Sequence, residues 1–262
     1  VMCTTSVSPK VTGNVESFFA MSLASDSFTL YCQPQFRVAD GAVVGGEILL
    51  RLISEGKVIP PTQFIPLLES LYAMPQVDLH VFGKVCACLK RWRDEGRPLV
   101  PMAVNFSRTT LAFPEVADRL EEIRQKFDIP AELLQVEITE TASTEDYRTF
   151  QKVVDSIRAK GFRVAIDDFG VAYANLMTLA RLGFDELKLD KSLMDDLCGS
   201  DKRQRLLRLV IEAAEDMGIR TVAEGVETEE QLAVLRKLGC PRAQSYLLSR
   251  PLPVEQFAAL LC

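Results

Sequence analysis

Residues 28–50 read FTLYCQPQFRVADGAVVGGEILL, two β-favouring runs on either side of a turn. Phe28 to Phe36 and Val43 to Leu50 are rich in aromatic and branched residues, and Asp40-Gly41 between them is a pair that readily takes the positive φ of a tight hairpin. The first two strands are therefore expected to be antiparallel. Beyond them the periodicity alternates. Helical spacing over Pro61 to Ser70 and Pro75 to Asp94 is followed by strand-like Leu99 to Asn105, with Ser107 placed to cap the segment after it and Leu120 to Phe127 helical again. Further strands are expected at Leu133 to Thr139, Arg163 to Asp167, Glu186 to Leu189, Arg220 to Ala223 and Arg242 to Tyr246. Helices are expected at Glu145 to Lys160, Asn175 to Leu182, Asp201 to Met217, Thr228 to Leu238 and Val254 to Leu261. In Asp201 to Met217, the positions Leu206, Val210, Ala213, Ala214 and Met217 read as the buried face, with Gly218 as its stop. About eight strands with interleaved helices indicate an α/β fold, a TIM-like (β/α)8 barrel with an antiparallel first strand.

The chain has 262 residues, 48% hydrophobic and 25% charged, enough for one large core. It has no apolar run of about eighteen residues, and its N-terminus lacks the pattern of a secretory signal. Seven cysteines are scattered without a C-x-x-C pair, which indicates neither a zinc site nor a disulfide framework and fits a reducing cytoplasm. A net charge of −6 excludes a broad surface for DNA, RNA or an anionic membrane, which would need clustered Lys and Arg. Residues 1–27 are polar and weakly patterned, as a linker or the end of an upstream region would be, so residues 28–262 are taken as the folded domain and a regulatory domain is expected before it.

Nearly every apolar strand run ends in, or is interrupted by, a residue able to bind a cation or a phosphate. Glu47 interrupts Val43 to Leu50, Asn105 ends its run, Glu137 lies within Leu134 to Ile138, and Asp167 with Asp168 closes Val164 to Ile166. Lys188, Glu224 and Gln244 hold the same kind of position in the next three units. In a parallel barrel these ends converge on one face. Carboxylates gathered there repel one another and resist desolvation unless protonated or bound to cations, so a metal is expected. Oxygen ligands with one amide and no His or Cys indicate a hard cation such as magnesium, manganese or calcium. The adjacent Asp167 and Asp168 suit two ions about 4 Å apart, an arrangement fitted to in-line attack at phosphorus. Lys188 would then bring a positive charge to the attacking water or the phosphate, and Arg51 would hold a phosphate oxygen from the rim.

Each position alone has a plainer reading, since a lone strand-end carboxylate is more often a cap or a solvated charge. His80 falls in an expected helix and reads as structural, and Thr139 and Thr141 read equally well as caps. Asp168-Phe169-Gly170 has the form of a kinase metal motif but lacks the accompanying glycine-rich loop, and Gly45-Gly46 reads as a strand irregularity. Only taken jointly do these positions indicate a site.

At these residues the sequence resembles the EAL family of cyclic di-GMP phosphodiesterases, over essentially the whole span from Phe28 to Leu261. The matching segments include Gly46-Glu-Ile-Leu-Leu-Arg51, Ala103-Val-Asn-Phe-Ser107, Val136-Glu-Ile-Thr-Glu140, Asp167-Asp-Phe-Gly170, Leu187-Lys-Leu-Asp190, Val222-Ala-Glu-Gly-Val-Glu-Thr228 and Gln244-Ser-Tyr-Leu-Leu-Ser-Arg-Pro251. The resemblance implies two Mg2+ or Mn2+ ions, one held by Glu47, Asn105, Glu137 and Asp167, the other by Asp167, Asp168 and Glu224. It implies that Lys188 assists the nucleophilic water, that Gln33, Arg51 and Gln244 contact the dinucleotide, and that Glu140 and Glu227 position the loop after Asp168. The implied reaction opens cyclic di-GMP to linear pGpG in a homodimeric enzyme, and Ca2+ is expected to inhibit.

Two departures bear on turnover. The signature triplet is Glu47-Ile48-Leu49, with Ile where the family has Ala, and the loop after Gly170 is Val171-Ala-Tyr-Ala-Asn175 where the family has Thr-Gly-Tyr-Ser-Ser. If that backbone needs φ > 0, Ala172 costs about 1 kcal/mol in strain. The alternative reading is therefore a catalytically weak or inactive EAL domain acting as a cyclic di-GMP receptor. A glycosidase using paired carboxylates would need aromatic sugar platforms, and the only tryptophan, Trp92, falls on an expected helix.

Overall fold

The computed structural model of the protein describes residues 27–54, 56–139, 147–170 and 183–261. β1 (Phe28–Arg37) and β2 (Val43–Ser54) run antiparallel, from Phe28 opposite Leu52 to Phe36 opposite Val43. Their turn uses the expected chemistry, with Gly41 at φ +73° and the Asp40 Oδ1 accepting the Ala42 N–H. The register shifts so that Gln35 faces Gly45 while Phe36 faces Val43, which leaves Val44 as an extra residue and makes the irregularity expected at Gly45-Gly46 a β-bulge. Gly46 is required there, because a Cβ would come within 2.3 Å of Cys32 Sγ and 3.0 Å of the Phe257 ring.

The short β3 (Lys57–Ile59) folds back on β2. β4 (Met102–Asn105), β5 (Leu134–Thr139), β6 (Arg163–Phe169), β7 (Glu186–Leu189), β8 (Arg220–Glu224) and β9 (Arg242–Gln244) then follow, each from β5 on parallel to the one before. β2 pairs with β4 in parallel, β9 pairs with β1 antiparallel, and the eight-stranded barrel is closed; the two-residue β10 (Leu252–Pro253) adds to β1. The TIM-like barrel with an antiparallel first strand is thus the observed fold. β4 is shorter than the expected run from Leu99, for Pro101 has no N–H to give a ladder and supplies only its carbonyl, to Gly46.

Around the barrel lie α1 (Pro61–Ser70), α2 (Met74–Asp94), α3 (Arg108–Leu111), α4 (Val116–Phe127), α5 (Tyr147–Ala159), α6 (Asp201–Asp216), α7 (Glu229–Lys237) and α8 (Val254–Ala258). Ser107, Ser200 and Thr228 cap α3, α6 and α7, and Gln231 completes a capping box with Thr228. Trp92 is buried on α2 against Phe257, so it belongs to the core. The helix expected over Asn175 to Leu182, together with Thr141 and the loop Val171 to Asn175, lies outside the described residues.

One expected face is corrected. On α6 the buried residues are Leu207, Ile211 and Ala214, of which only Ala214 was expected; Val210 is partly buried as expected, whereas Leu206 and Met217 are 58% and 40% exposed. Leu206, Leu207, Leu209, Val210 and Ile211 offer two apolar stripes about 100° apart, and packing on the barrel selects one of them.

β5 and β7 are buried along nearly their whole length, as strands with helices outside and a filled barrel inside must be. Because side chains alternate, Val136, Ile138, Val164, Ile166 and Leu187 face the helices while Glu137, Asp167 and Lys188 face inward. The barrel interior is therefore polar at the end where the parallel strands finish.

Candidate active site

Lys188 is the centre of that interior. Only 1% exposed, its Nζ lies 3.0 Å from Glu47, 3.2 Å from Glu137, 3.1 Å from Asp167 and 3.0 Å from Glu224. β2, β5, β6 and β8 each supply one carboxylate to an ammonium on β7. Glu47 is tied further, since Asn105 Nδ2 donates to its Oε1 at 2.7 Å and Gln244 Nε2 to its Oε2 at 2.5 Å. Seven strands thus converge on one constellation, counting β4 for Asn105 and β9 for Gln244.

The charges do not balance. With Asp168 beside them, five carboxylates face one buried ammonium, and two divalent ions would cancel the remaining formal charge. Burial alone would raise Glu47, but Lys188 and the hydrogen bonds from Gln244, Asn105 and Lys188 outweigh it and hold the carboxyl below its ordinary range. Glu137 is pushed well above that range by burial, with the charges of Glu47, Asp167 and Glu224 adding to it against Lys188. Burial likewise lifts Glu224 to about 7, with Asp167 and Glu47 acting against the Lys188 charge. Burial disfavours the Lys188 ammonium, yet Glu137, Glu47, Glu224 and Asp167 overcome it and the amine stays protonated.

Carboxylate oxygens of Glu47, Glu137 and Asp167 lie within 4.8 Å of one another, and Oε1 of Glu137 is buried without a hydrogen-bond partner. A group of oxygen donors with an orphaned buried lone pair fits a hard divalent cation. Asp168 is exposed and stands outside that group. A register break between Ile166 and Phe169 places it at φ +60°, left-handed backbone that turns its side chain away from the alternation of β6.

A cavity of about 370 Å3 opens over Lys188, and Gln33, Gln244, Glu227 and Tyr246 are in its wall. Gln33 and Gln244 are brought to the expected place. Arg51 is not in that wall, for its guanidinium lies 5.5 Å from the Tyr31 ring centroid and donates to the Leu50 carbonyl. The Glu227 carboxylate pairs with Lys191 at 2.5 Å, and Glu140 lies outside the described residues. Sequence reasoning missed Lys191 and Tyr246, both in the cavity wall. Lys191 sits in a 3-10 turn that leaves no periodic signal, whereas Tyr246, 62% exposed two residues after Gln244, was detectable as an aromatic beside a strand-end amide.

The sequence model of the family described as EAL domain matches residues 19–251. The chain belongs to the EAL domain family. Signaling protein YkoW of Bacillus subtilis is 31% identical over 93% of this chain and 30% of its own length. The cyclic di-GMP phosphodiesterase NbdA of Pseudomonas aeruginosa is 32% identical over 94% of this chain and 32% of its own. This EAL domain therefore spans about a third of the length of these curated relatives. Among solved structures, the PaMucR phosphodiesterase in complex with c-di-GMP superimposes with a TM-score of 0.85 at 29% identity, covering 93% of this chain and 99% of that one. No helix among the described residues of the EAL domain is long and apolar enough to cross a membrane.

Proposed function

We propose that this EAL domain hydrolyses cyclic di-GMP to linear pGpG by in-line attack of water at phosphorus, assisted by two Mg2+ or Mn2+ ions. The observation that carries the proposal is the buried Lys188 held by four carboxylates, three of which bring ligand oxygens within 4.8 Å of one another. Names of relatives with about a third of their sequence in common add to it. Glu47, Asn105, Glu137 and Asp167 would hold one ion, and Asp167, Asp168 and Glu224 the other. Bound divalent ions supply positive charge against the charge that develops on the phosphoryl oxygens and make a water molecule more acidic.

The protein's own groups do the rest. Gln33 and Gln244 orient the dinucleotide at the cavity wall, and Arg51 reaches a phosphate oxygen by leaving Tyr31. Glu140 and Glu227 position the loop after Asp168. Lys188 is an ammonium while its four carboxylates are uncompensated; once they are neutralised, burial favours the free amine, which can take the proton of the attacking water. The phosphorus–O3′ bond then breaks, and the ribose oxygen leaves and takes up a proton from solvent to become the 3′-hydroxyl. We also place residues 1–27 in a linker to an upstream regulatory domain and the protein in a reducing cytoplasm, where the five free cysteines among the described residues would stay unpaired.

Incubation of the purified chain with cyclic di-GMP and Mg2+ or Mn2+ is expected to yield linear pGpG, followed by chromatography, with product lost in Glu47→Ala and on exchange of the ion for Ca2+. Tight binding without product in the wild-type chain would overturn hydrolysis and make the domain a receptor. The domain is further proposed to be a homodimer. Supporting this, α6 exposes Leu206 and Leu209 at 58% and 62% beside an apolar hollow that includes Phe169 and Leu193. A monomeric mass by light scattering, unchanged in Leu209→Glu, is the result that would count against it.

A further inference from the structure

The foot of the barrel holds a second polar cluster. By alternation, Gln35, Gln135, Arg163, Glu186, Arg220 and Arg242 face the same interior as the catalytic constellation, but at the opposite end of their strands. Glu186 is completely buried; its Oε1 accepts Gln135 Nε2 at 2.8 Å and its Oε2 accepts Arg242 Nη1 at 3.0 Å. Arg220 Nε stands 3.7 Å from the same Oε2, too far for a hydrogen bond. Among the described residues, no carboxylate lies within ion-pair distance of Arg163. The nearby Asp185 is engaged by Arg158 and by the Val164 N–H, and Asp40 by Arg37.

Arg220 and Arg242 therefore share one carboxylate, Arg163 feels Glu186, Asp185 and Glu132 only from beyond ion-pair distance, and the guanidiniums feel one another. Arg163 is held below its ordinary range by burial and then by the charge of Arg220; Arg242 is held down by burial, with Arg220 and Arg163 opposing the help of Glu186. Guanidinium groups only donate and do not release their proton, so the imbalance has no internal remedy. Nε and Nη2 of Arg220 and Nε2 of Gln35 are shielded from solvent and meet no acceptor. Each such donor destabilises the fold unless an acceptor reaches it. The cluster reaches the surface at Arg220, whose side chain is 37% exposed, whereas that of Arg242 is 15% exposed.

The geometry points to an oxyanion site at the foot of the barrel, where Arg163, Arg220, Arg242 and Gln35 bind a phosphate-type group, either inorganic phosphate or a small phosphomonoester. A tetrahedral oxyanion offers several acceptors to forked donors and supplies the negative charge that water would not. It would join β6, β8 and β9, whose other ends carry Asp167, Glu224 and Gln244.

The test is the melting temperature of the full chain in chelator at constant ionic strength, titrated with inorganic phosphate, with glycerol 3-phosphate, or with chloride. Either phosphate is expected to raise it by several degrees over chloride, a ligand's linkage effect on the folded state. An equal rise with the ester assigns a phosphomonoester site; a rise with inorganic phosphate alone assigns the free ion. The rise is expected to survive in Arg51→Ala, at the other end of the barrel, and to shrink at least fivefold in Arg220→Gln and Arg163→Gln. Arg163→Gln breaks no ion pair among the described residues, so it decides the matter if Arg220→Gln fails to fold. Phosphate no better than chloride, or a rise undiminished in the foldable variants, overturns the site.

Discussion

Lys188→Met is expected to lower the melting temperature of the metal-free chain by roughly 6–12 °C and to reduce cyclic di-GMP turnover roughly 10²–10⁴-fold. Lys188 is the counter-ion of Glu47, Glu137, Asp167 and Glu224, all within 3.2 Å of its Nζ. Removing one partner of a buried ion pair typically costs 3–5 kcal/mol because the other charge is left unpaired, and about 3 kcal/mol is the appropriate end of that range here. The limit comes from Glu137 and Glu224, which burial already pushes toward the protonated form and which can shed part of the excess charge by taking up protons. Mg2+ or Mn2+ should restore much of the lost stability, since a divalent ion replaces the missing positive charge, but should not restore turnover. Thermal scans with and without metal check the first part, and product formation checks the second. Equal melting temperatures for wild type and variant in chelator would mean that Lys188 does not hold the carboxylates together.

The metal-free chain is also expected to lose stability as the pH rises from about 5 to about 8, against the common tendency toward greater stability near neutrality. Burial lifts Glu224 to about 7 and Glu137 well above its ordinary range. On α2, burial lifts Asp78 to about 6 despite hydrogen bonds from Thr110 Oγ1 and the Ser107 N–H. A carboxyl with a raised folded pKa stabilises the fold below its unfolded pKa, where both states are protonated, and that stability is lost as the pH rises through the folded value. For Glu224 the loss is on the order of 3 kcal/mol. Glu47, held low, and Lys188, held high, titrate outside this window. Divalent ions displace the protons, so they should stabilise the chain much more at about pH 8 than at about pH 5. Melting temperatures across that range in chelator and in Mn2+ test this, and Asp78→Asn removes the part that does not belong to the site. A melting temperature that climbs with pH in chelator, or equal metal stabilisation at both ends, would falsify the account.

Much of this protein is legible in its sequence. The Asp40-Gly41 turn announced the antiparallel pair, and the placement of Glu47, Asn105, Glu137, Asp167, Lys188, Glu224 and Gln244 at strand ends announced a shared face. Both are local properties, set by which φ a turn residue tolerates and by the two-residue alternation of a strand. Local signals failed where two local solutions compete. On α6 either of two apolar stripes would satisfy helical periodicity, and only contact with the barrel buries Leu207 and Ile211 and leaves Leu206 and Leu209 out.

By itself the sequence determined the identity and order of the eight barrel strands, though not of the short β3 and β10, the inward parity of the polar residues, and hence which side chains were available to a site. The tertiary structure alone decided which of them meet. Lys188 and Glu47 are 141 positions apart, and their contact exists because the sheet closes on itself and sets the stagger of each strand against the next. The same closure draws Arg220 and Arg242 onto Glu186 with Arg163 nearby, and the break in register after Ile166 gives Asp168 left-handed backbone. Charge balance inside a barrel is a property of distances between strands, and those distances are written in no local stretch of the chain.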